Sequence, residues 1–199
     1  MSYPAFFDHA EKITLHDPLA ELLGAASGGL IEYSYADVVR LAGHSCPTVA
    51  GAYLMTLKAL KHLYGDSLPQ RGSIKVEFYN EQQSGVTGVI ANVVSYITGA
   101  TTDTGFKGLA GQHDRRNLLF FGVPLEGEMR FTRVDTGDSI VVDYHPEIVP
   151  SAPGTMQLLQ KLLGGAAHEQ ERQEFAAGWQ DRVRRILEDS NNPRLVTFA

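Results

Sequence analysis

Residues 47–65 have the sequence PTVAGAYLMTLKALKHLYG, and the rest of the chain can be interpreted from this segment outward. Its large apolar residues recur at the spacing of one helical face. They are Val49, Tyr53, Leu54, Leu57, Leu60 and Tyr64. Pro47 suits the first turn of a helix, where a missing N–H needs no partner, and Gly65 is typical of a helix end. The pattern predicts a long, central, buried helix from Pro47 to about Tyr64.

A shorter helix is predicted just upstream, and it leads to the only cysteine of the chain. Ser34 and Asp37 have the spacing of a capping box, and the helix that they start should end before Gly43. The chain then reaches His44. Because the long helix starts at a proline, the residue before it, Cys46, is predicted to be its N-cap.

Downstream of the long helix, the sequence pattern changes from helix to strand. Alternation or apolar runs predict strands at 73–79, 86–97, 118–123, 129–134 and 139–144. Residues 99–117 are rich in glycine and threonine and predict a long loop, while 155–163 and 166–188 have helical patterns. Together these elements predict an α+β fold with a central, mostly antiparallel sheet, the long buried helix and C-terminal helices.

Length and composition limit the possible functions. The 199 residues include 17 basic and 23 acidic side chains, a net charge of −6, and no basic cluster of the kind that binds nucleic acid or an anionic membrane. We expect one domain over 1–199, with its core in 35–150 and a helical part in 153–190. No signal peptide and no apolar span long enough for a bilayer are visible, which predicts a cytoplasmic protein.

The His44-Ser45-Cys46 turn is the main candidate for chemistry. Unpaired N–H groups and the positive end of the dipole at a helix N-terminus stabilise a thiolate, which is both a nucleophile and a soft metal ligand. Imidazole nitrogen and sulfur together suit Zn²⁺. The alternative is structural, because a lone cysteine is often a small buried apolar residue and His44 can cap a carbonyl group.

Further ligands would have to come from other parts of the chain. His16 and His113 lie in polar, loop-like contexts and are the candidates for a third ligand. The alternatives are a helix-start cap for His16 and a hydrogen bond within the glycine-rich loop for His113. The sequence contains no serine-hydrolase elbow, zincin motif, Cys-x-x-Cys or nucleotide-binding glycine loop.

Gly43-His44-Ser45-Cys46-Pro47 resembles the signature of the FmdE family, which is named after formylmethanofuran dehydrogenase. That signature is a Gly-His-x-Cys-Pro that opens a long helix. Residues 97–101, Ile-Thr-Gly-Ala-Thr, resemble the Thr-Gly-Cys-Thr segment of the family, and residues 105–108 resemble its Gly-Lys-Gly. The resemblance covers residues 35–121. Two features differ: Ala100 stands where the family commonly has a second cysteine, and the C-terminal cysteine-rich zinc module is absent from this sequence.

The resemblance implies an α+β homodimer with a metal, most often zinc, in a cleft. On this basis we expect His44, Cys46 and His113 as metal ligands, with His16, a carboxylate or water as the alternative for the third position. We expect Thr98, Thr101 and Lys107 to line the substrate cleft, where Lys107 or Arg115 would bind an anionic group.

Three functional hypotheses follow. The first is a metal-binding protein, which would be an enzyme if an open coordination position faces the cleft. The second is a non-catalytic accessory or carrier protein for an oxidoreductase, with exchangeable metal. The third is a metal-free thiol enzyme in which Cys46 is the nucleophile and His44 the base.

Overall fold

The computed structural model of the chain describes residues 3–199 and confirms the predicted α+β class. The helices are α1 (Pro18–Leu22), α2 (Tyr35–Ala42), α3 (Pro47–Tyr64), α4 (Thr87–Thr98), α5 (Thr155–Leu163) and α6 (Glu169–Glu188). The strands are β1 (Ile13–His16), β2 (Leu30–Tyr33), β3 (Ile74–Phe78), β4 (Leu119–Phe120), β5 (Met129–Arg133), β6 (Ser139–Tyr144) and β7 (Val196–Phe198).

The main sheet has five strands in the order β4-β3-β5-β6-β7. All neighbours are antiparallel except β3 and β4, which are parallel. The parallel pair is possible because α4 and the long loop after it carry the chain back across the sheet between β3 and β4. β1 and β2 form a separate antiparallel pair. The prediction of a mostly antiparallel sheet is therefore confirmed.

Both helices around the cysteine have the predicted bounds. Ser34 and Asp37 form the capping box of α2, and Gly43 ends α2 in the left-handed conformation with φ of +75°. α3 runs from Pro47 to Tyr64 and packs against α4 and β6, as a central helix should.

The strand predicted at 86–97 is wrong, because this segment is helix α4. Its β-branched residues favour a strand by composition, but Ile90, Val93, Val94 and Ile97 share one face and are buried. Gly99, with φ of +76°, closes the helix by donating its N–H to a carbonyl of the last turn. Burial against α3 therefore outweighs the strand preference of the individual residues.

Smaller differences concern the ends of the chain and the edge of the sheet. The strand predicted at 118–123 is only the two-residue β4, and α6 begins at Glu169 rather than at 166. β1, β2 and β7 were not predicted. Residues 100–118 contain no helix or strand, which confirms the long loop.

The core extends beyond the central segment. Phe7, Leu15, Ile186 and Val196 are buried in the same apolar cluster as the residues of α3 and the sheet. Among residues 3–199, no helix has both the length and the apolar character needed to cross a membrane.

Candidate functional site

The turn between α2 and α3 presents the cysteine at the start of the longer helix. Cys46 is the N-cap of α3, as predicted, with extended backbone angles. Its Sγ accepts a hydrogen bond from the backbone N–H of Val49 at 3.4 Å, and the residue is only 9% exposed. The sulfur therefore lies where a negative charge is stabilised by a helix N-terminus.

His44 is exposed, and its ring is oriented by the end of α2. Its Nδ1 lies 3.0 Å from the carbonyl oxygen of Ala42. Because a carbonyl can only accept, Nδ1 must carry the proton in this bond. The neutral imidazole therefore has its lone pair on Nε2, which is the tautomer that a metal ligand or a general base requires.

His44 and Cys46 line the same cavity, which has a volume of about 470 Å³. The turn, the start of α4, the segment after β6 and helix α6 form its walls. The lining residues are His44, Cys46, Pro47, Thr48, Val86, Val89, Pro146, Trp179 and Arg182. Apolar walls with a few polar groups are typical of a site for a small molecule.

Helix α6 fixes the position of the turn. Trp179 Nε1 and Gln180 Nε2 both donate to the carbonyl oxygen of Ser45, at 3.0 and 3.1 Å. The hydroxyl of the same serine lies 3.0 Å from the hydroxyl of Tyr35. Ser45 is therefore held by hydrogen bonds on two sides, and this limits the movement of its neighbours His44 and Cys46.

Tyr144 joins the sheet to the first turn of α3. Its hydroxyl donates to the carbonyl oxygen of Pro47 at 3.0 Å, and burial raises the pKa of this phenol above its ordinary value. The ring lies directly against Gly51, where an added Cβ would be 2.2 Å from a ring carbon. The glycine therefore permits the close approach of β6 to the first turns of α3.

The histidines proposed as third ligands lie elsewhere. His16 Nε2 lies 2.8 Å from a carboxylate oxygen of Glu21, and His113 is in the long loop with φ of +61°. Neither lines the cavity of His44 and Cys46. Within residues 3–199, no three His, Cys, Asp or Glu side chains are close enough together to hold a metal ion.

The residues expected to line the substrate cleft are also outside this cavity. The Thr98 hydroxyl is buried, donates to the carbonyl of Val94 and accepts from the N–H of Ala100, so it is bonded within the end of α4. Thr101 donates to the carbonyl of Arg115, and Lys107 is exposed on the long loop. The structure therefore does not bring these three side chains to His44 and Cys46.

Arg115, expected as an alternative anion-binding group, is buried in an ion cluster instead. Its Nη2 donates to Asp17 Oδ1 at 2.7 Å, and Arg71 Nη1 donates to Oδ2 at 3.0 Å. Burial by itself raises the pKa of the Asp17 carboxyl, but the N–H of Ala20 and the two guanidinium groups outweigh it and leave that pKa lower than usual. The cluster joins β1 to the long loop and is structural.

The contribution of α6 and α4 to the cavity was not predicted. The sequence predicted a helix over 166–188, but neither Trp179 nor Arg182 was expected to be a functional residue. Two signals in the sequence could have indicated these residues. The first is that Trp179 and Arg182 are three positions apart, which places an indole and a guanidinium on one face of a helix. The second is that Trp179 is the only tryptophan of the chain.

Comparison of the chain with protein-family models, with curated proteins and with solved structures finds no match.

Proposed function

We propose that this chain is an FmdE-like protein that binds a divalent metal ion, most readily zinc, through His44 Nε2 and Cys46 Sγ in the cavity. The main support for the proposal is that both residues line one cavity. His44 is the tautomer with a free lone pair on Nε2, and the Cys46 sulfur lies at a helix N-terminus. The resemblance of residues 43–47 to the FmdE signature supports the same pair.

The donor types fit zinc, but their number is low. Sulfur and imidazole nitrogen are the usual zinc donors, whereas zinc sites normally have three or four protein ligands. Since residues 3–199 offer no group of three, the other positions must be filled by water, a bound molecule or a second copy of the chain. We therefore expect exchangeable rather than permanent metal binding.

The side chains of the cavity have distinct roles in this proposal. The bond from Nδ1 to Ala42 keeps the lone pair of His44 on Nε2, and the Val49 N–H stabilises negative charge on Cys46. Apolar side chains line the cavity beside both groups. A bound zinc ion would polarise a carbonyl group or lower the pKa of a water molecule.

A metal-free thiol function is the second candidate, and the small number of metal donors favours it. In this case Cys46 is the nucleophile, and His44 Nε2 accepts its proton. The two candidates use the same atoms, but they differ in whether the thiol reacts freely when no metal is present.

Metal binding can be tested with Co²⁺, because a thiolate ligand adds a near-ultraviolet sulfur-to-cobalt charge-transfer band that Co²⁺ bound only by nitrogen or oxygen ligands lacks. We expect the band to appear in the wild type, to vanish in Cys46→Ser and to require at least about tenfold more Co²⁺ in His44→Ala, since each variant loses one of two donors. Zn²⁺ should displace the Co²⁺. The affinity should fall at low pH, because protons compete for both donors.

His16→Ala and His113→Ala are the matched controls, because neither histidine lines the cavity. They should leave the titration unchanged. Absence of the band in the wild type would refute the metal site. In that case, rapid alkylation of Cys46 by iodoacetamide at neutral pH would support the thiol function, and slow alkylation would indicate a packed, structural cysteine.

A further inference from the structure

Arg182 brings a positive charge to the cavity, and no carboxylate side chain balances it there. None of the residues that line the cavity is Asp or Glu. Arg182 forms three hydrogen bonds, from Nε to the Val149 carbonyl, from Nη1 to the Ser151 hydroxyl and from Nη2 to the Pro146 carbonyl. All three acceptors are neutral.

Other partly or fully buried arginines of this protein have carboxylate partners. Arg71 and Arg115 share Asp17, and Arg130 binds Glu77. Within residues 3–199, no carboxylate lies within salt-bridge distance of Arg182. Nη1 and Nη2 each have two N–H groups, and only one of each is used in the bonds to Ser151 and Pro146. The guanidinium is thus held in place by neutral groups, and it retains unused donors and a charge with which no carboxylate side chain pairs.

The surroundings of this charge limit the ligand that can bind. Pro47, Val86, Val89, Pro146 and Trp179 provide apolar walls, and a volume of about 470 Å³ is enough for a small organic molecule. A single guanidinium, with no other Lys or Arg among the lining residues, matches one negative charge rather than two. A carboxylate fits the planar donor geometry of arginine.

We propose that the cavity binds a small apolar carboxylic acid, with Arg182 as the counter-charge of the carboxylate and Trp179 packed against the apolar body. This inference rests on the proposed function in one respect, that the His44 and Cys46 cavity is the functional site. It does not require the metal.

Trp179 makes the proposal measurable, because it is the only tryptophan of the chain and it lines the cavity. We would titrate the wild type with 3-phenylpropionate and with the neutral 3-phenylpropanamide, in the presence of a chelator, and follow tryptophan fluorescence. The acid should give a saturable change, and the amide should bind at least about tenfold more weakly, since charge-assisted hydrogen bonds are strong.

Arg182→Met should remove the preference for the acid. Arg185→Met is the matched control, because Arg185 also donates to a carbonyl of the same segment, that of Pro150, but does not line the cavity. It should bind like the wild type. Equal binding of acid and amide by the wild type, no binding of either, or an unchanged preference in Arg182→Met would refute the proposal.

The comparison of acid with amide needs no variant, so it remains decisive even if Arg182→Met fails to fold. Because the titration is done without metal, its result is independent of the Co²⁺ experiment. A carboxylate site without metal binding, or metal binding without a carboxylate site, would therefore be recognised separately.

Discussion

Asp17→Ala is expected to lower the free energy of unfolding by about 3–5 kcal/mol. The side chain of Asp17 is 4% exposed, and it accepts from the guanidinium groups of Arg71 and Arg115. Its removal leaves Arg115, whose side chain is 6% exposed, as a buried charge without a partner. Urea unfolding followed by circular dichroism measures the change.

Glu21→Ala is the matched control for this prediction. Glu21 is on α1, next to the same cluster, and it pairs with His16, but its side chain is 54% exposed. An exposed pair contributes about 1 kcal/mol or less, so this variant should unfold almost like the wild type. A loss below about 1 kcal/mol in Asp17→Ala would show that water compensates the arginines and that the cluster does not stabilise the fold.

Asp17→Asn separates the charge from the helix cap. Asn can still accept from the N–H groups of Leu19 and Ala20, as Asp17 does in capping α1. Because the pKa of Asp17 is lower in the folded state, its charge stabilises the fold above the unfolded pKa of about 3.9. That stabilisation is lost as the pH falls through the folded pKa.

The wild type should therefore lose stability on acidification below about pH 4, and Asp17→Asn should lose less. Urea midpoints measured for both proteins between neutral and acidic pH test the difference. Parallel pH profiles would mean that other carboxylates account for the acid sensitivity.

Local signals were sufficient to predict the two helices around the turn. Pro47, Gly43 and Gly65 mark helix ends through backbone geometry, which acts within a few residues of each position. The bounds of α3 and the N-cap role of Cys46 could therefore be predicted without knowledge of the tertiary structure.

The error at α4 has a different origin. Val86, Ile90, Val93 and Ile97 have helical spacing, but a short run of β-branched residues also satisfies the composition of a buried strand. The structure resolves the ambiguity through packing against α3, which a local window does not contain. Gly99 was the local sign of a helix end that favours the correct interpretation.

The candidate site shows the same division between local and distant information. His44 and Cys46 were predicted because they are adjacent to a helix start. Trp179 reaches Ser45 across 134 residues of sequence, and no local pattern indicates that contact. Likewise, Lys107 was expected at the cleft because of a resemblance over residues 35–121. In this chain, α6 contributes Trp179 and Arg182 to the cavity, and Lys107 does not line it.

Gly51→Ala is expected to destabilise the protein by about 2 kcal/mol. Overpacking typically costs about 1–3 kcal/mol, and the better helix propensity of alanine offsets at most about 1 kcal/mol of this cost. The new Cβ would lie 2.2 Å from a ring carbon of Tyr144, so the ring or the helix must move. Movement of the ring breaks its hydrogen bond to Pro47 at the start of α3. We therefore also expect faster alkylation of Cys46.

Gly178→Ala makes the same substitution inside helix α6, where the nearest heavy atom to the new Cβ is the Thr155 hydroxyl oxygen at 3.9 Å. This variant should be more stable than the wild type by about 0.5–1 kcal/mol, since only the helix propensity changes. In a Tyr144→Ala background, the cost of Gly51→Ala should largely disappear, because the ring that it meets is absent. If Gly51→Ala and Gly178→Ala changed the unfolding midpoint in the same direction, the contact between α3 and β6 would be looser than the structure shows. Gly51 would then not be required for the packing of the Tyr144 ring against α3.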